Sequence, residues 1–442
     1  MQATDVRIPR ARLIVAVAAV IVSAGILWLA RGFNFYFDEW DFVLHAPDWS
    51  WTSYLEPHNE HLTLLPRVIY AALLATVGLR SYIPYMGVLL ILHIVTVVLL
   101  FELVRRRAGD LIGLACAALL LVLGAGWENL LWAFQMTFVG SVACGLAALL
   151  FLEGPRARPR LLLACALLAA SLMFSGIGLF FGFAAAVMLL LQADRRRDLL
   201  WLAAVAAAFA AWYLAIGRHG TPPNPPPSAA NLTVLPVYVV WGLGASMAGI
   251  VGLGGAFGPL LLVLAAAGVA LAWRRRSPDP LALGVAAGLV ALYAVTGLTR
   301  GQFGYQQSGA GRYVYVGAVF WLILLADVAR SLPWRGTWRP AAIACLFLVC
   351  FNSGVLLFGY AAAKTVQMER ETADLQALHT ERSDPCLNRN ASVDRFVMPQ
   401  VAGVTLYYRA VDRYGDPAGT LPVRDRLDFA AAIRNLVVPG CK

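Results

Sequence analysis

Lysine is almost missing from this chain, at two of 442 residues (Lys364 and Lys442), yet the formal charge is +10. The positive charge is therefore arginine's, and it falls in short clusters between apolar runs. That pattern reads as membrane topology and excludes nucleic-acid binding as the main reason for the charge. Charge of either sign is sparse, 14% of residues against 60% hydrophobic. With a mean hydropathy of +0.70, the chain is expected to be a polytopic membrane protein rather than a soluble one. Neither G-x-x-x-x-G-K-[ST] nor a strand-to-helix G-x-G-x-x-G occurs, and GLGGAFG (252–258) sits in apolar context with the wrong spacing. A nucleotide site of the usual kinds is unsupported. The absence of G-x-S-x-G removes a nucleophile elbow, and the absence of C-x-x-C removes the usual zinc or redox site.

Of seven cysteines, Cys116, Cys144, Cys165, Cys345 and Cys350 lie in apolar runs, where a thiol is a small core residue. Cys386 and Cys441 share the polar tail, and a disulfide between them is expected if that tail faces an oxidising compartment.

Apolar runs near the roughly 20 residues needed to span a bilayer occur at 13–30, 83–104, 111–125, 136–152, 161–174, 177–192, 199–216, 255–273, 281–299, 313–329 and 340–359. The first lacks a clear small-residue cleavage site and is expected to be a retained helix. Arginine clusters at 7–12, 105–107, 156–160, 195–197, 274–276 and 330–339 set the cytoplasmic side. Two further apolar stretches, 62–79 and 234–251, would break this alternation if they crossed. Both are assigned to helices lying at or dipping into the outer interface. The result is an all-α bundle of about eleven transmembrane helices in a plasma membrane, N-terminus cytoplasmic and C-terminus outside. Residues 1–360 form the membrane domain, with an outer loop at 31–82, and 361–442 a small extracytoplasmic α+β domain. In that domain 395–400 and 403–411 are the expected strands.

The outer face then collects the chemistry-bearing residues. FNFYFDEWDFVLH (33–45) packs Asp38, Glu39 and Asp41 among aromatics, and half of the six histidines fall at 45, 58 and 61. A carboxylate in a partly dry setting is a stronger base. His58 and His61, three apart with Glu60 beside them, would share one face of a helix. Arg67 lies on the interfacial stretch, and Arg300 and Arg312 bracket RGQFGYQQSGAGRY ahead of Tyr313. An arginine fork on that face suits a phosphate. GWENLLWAFQ (126–135) offers Glu128 and Gln135 to hydroxyls, with Trp127 and Trp132 as a stacking platform or an interfacial belt. TPPNPPPS (221–228) reads as a stiff extended loop.

A first helix entering from the cytoplasm, an Asp-Glu opening the outer loop, and EPHNEHLTLLPRVIYAALL (56–74) as a juxtamembrane helix together resemble the C-type (GT-C) integral-membrane glycosyltransferases. The resemblance covers the first 100 residues and the overall topology. It implies a polyprenyl-phosphate-linked sugar as donor, inversion at the anomeric carbon, and Asp38 as general base with Glu39 as its acidic partner. Some members use a divalent cation near that pair, which makes Asp38 and Glu39 candidate ligands. Heavy Ala, Gly and Arg usage is that of a high-GC bacterium such as an actinobacterium, so the acceptor would be a cell-envelope glycan, glycolipid or protein. Two other functions fit a polytopic chain. A polysaccharide polymerase or ligase would also use a lipid-linked donor and outer arginines. A lipid or glycan transporter would place ionisable residues mid-span and show internal repeats, and neither is evident here.

Overall fold

The computed structural model describes residues 8–221, 224–330, 338–418 and 425–441; Arg7, Arg335 and positions 222–223 of the proline-rich loop lie outside them. The helices are α1 (Ala11–Leu29), α2 (Asp38–His45), α3 (Leu64–Thr76), α4 (Ile83–Ala108), α5 (Asp110–Leu121), α6 (Glu128–Leu131), α7 (Met136–Glu153), α8 (Arg158–Phe174) and α9 (Gly178–Leu190). They continue with α10 (Leu199–Ala215), α11 (Asn231–Ile250), α12 (Gly258–Arg275), α13 (Pro280–Arg300), α14 (Gly311–Ala329), α15 (Trp338–Glu381), α16 (Val404–Tyr414) and α17 (Arg426–Leu436). The one sheet among the described residues is a hairpin of β1 (Pro57–His58) and β2 (His61–Leu62).

Nine helices among the described residues are long and apolar enough to cross a membrane. The chain is thus an all-α polytopic membrane protein. The arginine clusters gather at one end of the bundle, interlocked with the few acidic residues there. Arg12 and Arg105 pair with Glu102, and Arg107 pairs with Glu153 and Asp279. Arg156 and Arg195 both hold Asp198, while Arg276 and Arg330 hold Asp327. Turns there are tight: Gly109, at φ 88, closes α4 and opens α5, a conformation that favours glycine.

Two apolar stretches differ from the other spans. α3 is 13 residues long, too short to span, as expected for 62–79. α11 has the length and composition of a span, yet both of its ends pack at the end of the bundle away from the arginine clusters. Asn231 Nδ2 donates to the Leu298 carbonyl and Gln302 Oε1, 2.8 and 2.7 Å, while Gly249 lies against Ala125 and Val314 near the start of α14. The short helices α5, α8 and α9 run between the two ends instead.

The tail is helical where strands were expected. Gly403 caps α16, residues 404–411 fall in it, and 395–400 form turns. Val404, Tyr407, Tyr408 and Val411 repeat at helical spacing and all are buried, so the apparent alternation in VTLYY was half of a 3.6-residue period. α16 lies on the 31–82 loop. Trp40 and Tyr407 rings sit 5.7 Å apart, Arg409 pairs with Asp48, and Leu79 N donates to the Tyr414 carbonyl at 3.0 Å. Gly78, at φ 65, abuts that same carbonyl, where a Cβ would lie only 2.1 Å away. The Cys386–Cys441 disulfide forms, closing a sequence separation of 55. A loop of that length is worth roughly 4 kcal/mol by chain entropy. Cys386→Ser is therefore expected to make the tail far more sensitive to limited proteolysis than the membrane domain, read from cleavage rates on gels; equal rates for variant and wild type would contradict the estimate of its role.

Candidate active site

α2 places its three acids differently. Phe37, at φ 50 and ψ −117, turns the chain sharply into the helix, a strained conformation for a non-glycine residue. Glu39 follows the turn into the core. It is fully buried, accepting from Tyr70 OH at 2.6 Å, Tyr82 OH at 3.0 Å and the Tyr36 amide at 2.9 Å. Burial pushes its pKa up to about 7 despite those hydrogen bonds. The extension of α15 supports the same helix from below. Trp40 Nε1 donates to Glu371 Oε1 at 2.5 Å, and Lys364 lies on the Tyr36 ring. Glu39 is therefore an anchor for α2 and lines none of the neighbouring cavities. A divalent cation shared by Asp38 and Glu39 does not fit this arrangement, because the Glu39 oxygens are already given to two phenols and an amide. Among the described residues no cluster of three or more His, Cys, Asp or Glu could hold a metal.

Asp41 faces His58. His58 Nδ1 donates to its Oδ2 at 3.1 Å, and His45 Nδ1 lies 3.4 Å from its Oδ1. Burial opposes the Asp41 charge, but the two histidines outweigh it and hold the carboxyl well below the usual range. Burial likewise opposes charge on His58, yet Asp38 and Asp41 push its pKa up to about 9. Phe42 and Phe134 close on the ring edge-on at 5.4 and 5.2 Å. His58 and His61 are not on a helix: they pair across the β1–β2 hairpin, whose turn places Asn59 at φ 53. Asparagine tolerates that left-handed geometry.

Because Glu39 and His58 bind protons more tightly folded than unfolded, stability falls as pH rises. The Glu39 contribution is full below about 4.5 and lost through about 7; that of His58 is full below about 6.5 and lost through about 9. Each is worth about 3 kcal/mol. The depressed Asp41 adds no slope in this window. Between pH 6.5 and pH 9 the apparent Tm of His58→Asn should fall less steeply than that of wild type; parallel profiles would contradict the His58 assignment.

Asp38 is the acid that faces open space. Its Oδ2 lies 4.0 Å from His58 Nε2 and its Oδ1 3.5 Å from Gln400 Nε2. Two cavities meet at it, and a third opens from the second. The outermost, about 550 Å³, is lined by Asp38, Asp41, His58 and Arg67, with Gln400 from the tail. The second, about 170 Å³, shares Asp38, His58 and Asn59 with the first, and adds Gln135, Arg300 and Arg312. The third, about 270 Å³, shares His61, Arg300 and Tyr313 with the second and is otherwise mainly apolar, with Phe180, Phe209 and Tyr213 beside Glu60, Thr296 and Thr299. Leu179 joins it to an apolar groove of about 420 Å³ between α8, α9 and α10.

The middle cavity is unusual in its hydrogen bonding. His58 Nε2, Thr63 Oγ1, Trp132 Nε1, Gln135 Oε1 and Arg300 Nη1 all line it, and all are buried without a partner. Buried polar atoms are nearly always satisfied, so five orphans around one small space describe a site shaped for a polar ligand. Arg300 pairs with Glu60, and Arg312 Nη1 donates to Glu128 Oε2 at 3.0 Å. Glu128 also accepts from the Arg312 amide at 3.1 Å. Glu128 thus aims Arg312 and does not itself line the cavity, whereas Gln135 does. His61 is half-buried, and desolvation lowers its pKa. Arg67 sits over the Phe42 ring at 5.4 Å and donates to the Ser53 carbonyl, facing the outer cavity only.

Of the sequence candidates, Asp38, His58, His61, Gln135, Arg300, Arg312 and Tyr313 converge on the middle cavity. Thr63 and Gln400 were not anticipated. Thr63 has no distinguishing sequence signal, and Gln400 is brought in by tail packing alone. No family model matches the chain, and no curated protein matches it in sequence. A structural likeness is found to the crystal structure of ArnT from Cupriavidus metallidurans bound to undecaprenyl phosphate, at a TM-score of 0.47 and 16% identity, over 94% of this chain and 76% of that one.

Proposed function

We propose that the protein is an inverting GT-C-type glycosyltransferase that moves a sugar from a polyprenyl-phosphate donor to an extracytoplasmic acceptor. The observation that carries this is the succession of cavities: a carboxylate-rich one and a polar, arginine-lined one that share Asp38, then a mainly apolar one joined to the second at His61, Arg300 and Tyr313. A lipid chain suits the apolar groove along α9 and α10. Its phosphate suits Arg300 and Arg312, and its sugar suits the orphaned polar atoms of the middle cavity.

In this scheme Asp38 takes the proton of an acceptor hydroxyl from the outer cavity. The acceptor oxygen forms its bond to the anomeric carbon as the bond from that carbon to the phosphate oxygen breaks on the opposite face. The electron pair leaves with the polyprenyl phosphate, and the guanidiniums of Arg300 and Arg312 stabilise the growing charge. Glu39 positions α2, and Asp41 with His58 holds the hairpin against it. The arginine-cluster end is cytoplasmic, which puts Asp38 and the tail outside a plasma membrane. The alanine-, glycine- and arginine-rich composition supports a high-GC bacterial source, such as an actinobacterium, and hence a cell-envelope acceptor.

A diazirine-bearing polyprenyl phosphate should label peptides carrying Leu179, Phe209 or Tyr213, and unlabelled polyprenyl phosphate should compete. Labelling spread evenly over the lipid-facing helices would refute the groove as the donor path.

A further inference from the structure

We propose that the outer cavity takes a neutral, polyhydroxylated acceptor and that Gln400, supplied by the C-terminal segment, selects it by binding the hydroxyl next to the one that reacts. This rests on the glycosyltransferase assignment above for which hydroxyl reacts, while the site itself stands on the geometry that follows.

Gln400 is 362 positions from Asp38 in sequence, yet its Nε2 lies 3.5 Å from Asp38 Oδ1. Its Oε1 is buried with no partner, and the side chain lines the cavity. The amide is held on a braced turn. Asp394 Oδ1 accepts from the amides of Phe396 and Val397, 2.6 and 3.1 Å, and Oδ2 pairs with Arg370 of α15 at 2.5 Å. Val397, Met398 and Val401 around it are buried. An orphaned acceptor on a rigid support is a binding group in waiting. With Asp38 accepting one hydroxyl, Oε1 is placed to accept a second on the adjacent carbon, which is the donor pattern of a vicinal diol.

The charges around the cavity select further. Asp38, Asp41, Asp48 and Glu56 line it beside one arginine, Arg67, and two histidines, His45 and His58. Both histidines are engaged by Asp41, and Asp48 is paired with Arg409, so Asp38 and Glu56 face the cavity against the single charge of Arg67. An anionic acceptor would meet more carboxylate than free cation, unlike a phosphate in the middle cavity. The two arginines there and the single amide here divide donor from acceptor by charge.

The test uses the full chain in lipid nanodiscs, with methyl glycosides as acceptor probes, methyl glucuronoside as the anionic control, and undecaprenyl phosphate as the donor-side probe. Saturation-transfer NMR and titration should show the neutral glycosides binding, the glucuronoside binding more weakly, and Gln400→Ala lowering neutral-glycoside affinity by about five- to tenfold. Undecaprenyl phosphate affinity should be the same in wild type and variant, which also establishes that the variant is folded. Equal glycoside affinity in both proteins, a preference for the glucuronoside, or no glycoside binding to wild type would each overturn the proposal. Gln400-dependent glycoside binding without any undecaprenyl phosphate binding would support this site and contradict the donor assignment instead.

Discussion

Asp38→Asn is expected to reduce sugar transfer by about 10²- to 10⁴-fold, the range associated with removing a positioned general base, while leaving donor binding unchanged. The substitution conserves size and keeps an oxygen toward Gln400, so it deletes basicity and little else. The case for Asp38 over its neighbours is geometric. Glu39 is buried under Tyr70 and Tyr82, and Asp41 is held by two histidines that stabilise its charge and weaken it as a base. Only Asp38, among the three, lines both polar cavities. Asp41→Asn should cost less, since it acts through His58, and a larger loss in Asp41→Asn than in Asp38→Asn would move the base to Asp41.

Arg300→Ala is expected to lower transfer efficiency with respect to donor by about 10²- to 10³-fold, the cost of removing one preorganised donor to a developing charge. Nη1 of this residue is buried and unpartnered in the middle cavity, and its partner Glu60 is partly exposed, so truncation leaves a carboxylate that water reaches. Arg312→Ala should lose as much activity but also lose protein yield, because Glu128 is more deeply buried and would be left without its counter-charge. Combining it with Glu128→Gln should restore yield and leave transfer low. Recovery of transfer in that double variant would show that Arg312 serves folding alone.

Much of this was legible because hydropathy and arginine placement are read over long windows. The acidic stretch after the first helix, Arg300 and Arg312 flanking one loop, and the tail disulfide all follow from local composition. What escaped depended on contacts distant in sequence. Glu39 looked like a second catalytic acid because nothing local announces Tyr70 and Tyr82, 31 and 43 positions on, as its covers. His58 and His61 were spaced for a helix face, but Asn59 at positive φ bends them into a hairpin. The tail reads from sequence as a small separate α+β domain. Instead, a buried helical face at Val404, Tyr407 and Val411 docks it on the 31–82 loop, and Gln400 reaches Asp38. The length of α11 would have counted as a span by composition, and only the orientation of the arginine clusters kept it at the interface.

The most direct measurement is transfer of radiolabel from a panel of polyprenyl-phosphate sugars by the purified protein, with Asp38→Asn run in parallel. At least one donor should yield labelled product with the anomeric configuration inverted, and the variant should bind that donor without transferring its sugar. Transfer at the wild-type rate by Asp38→Asn, or product of retained configuration, would contradict the account.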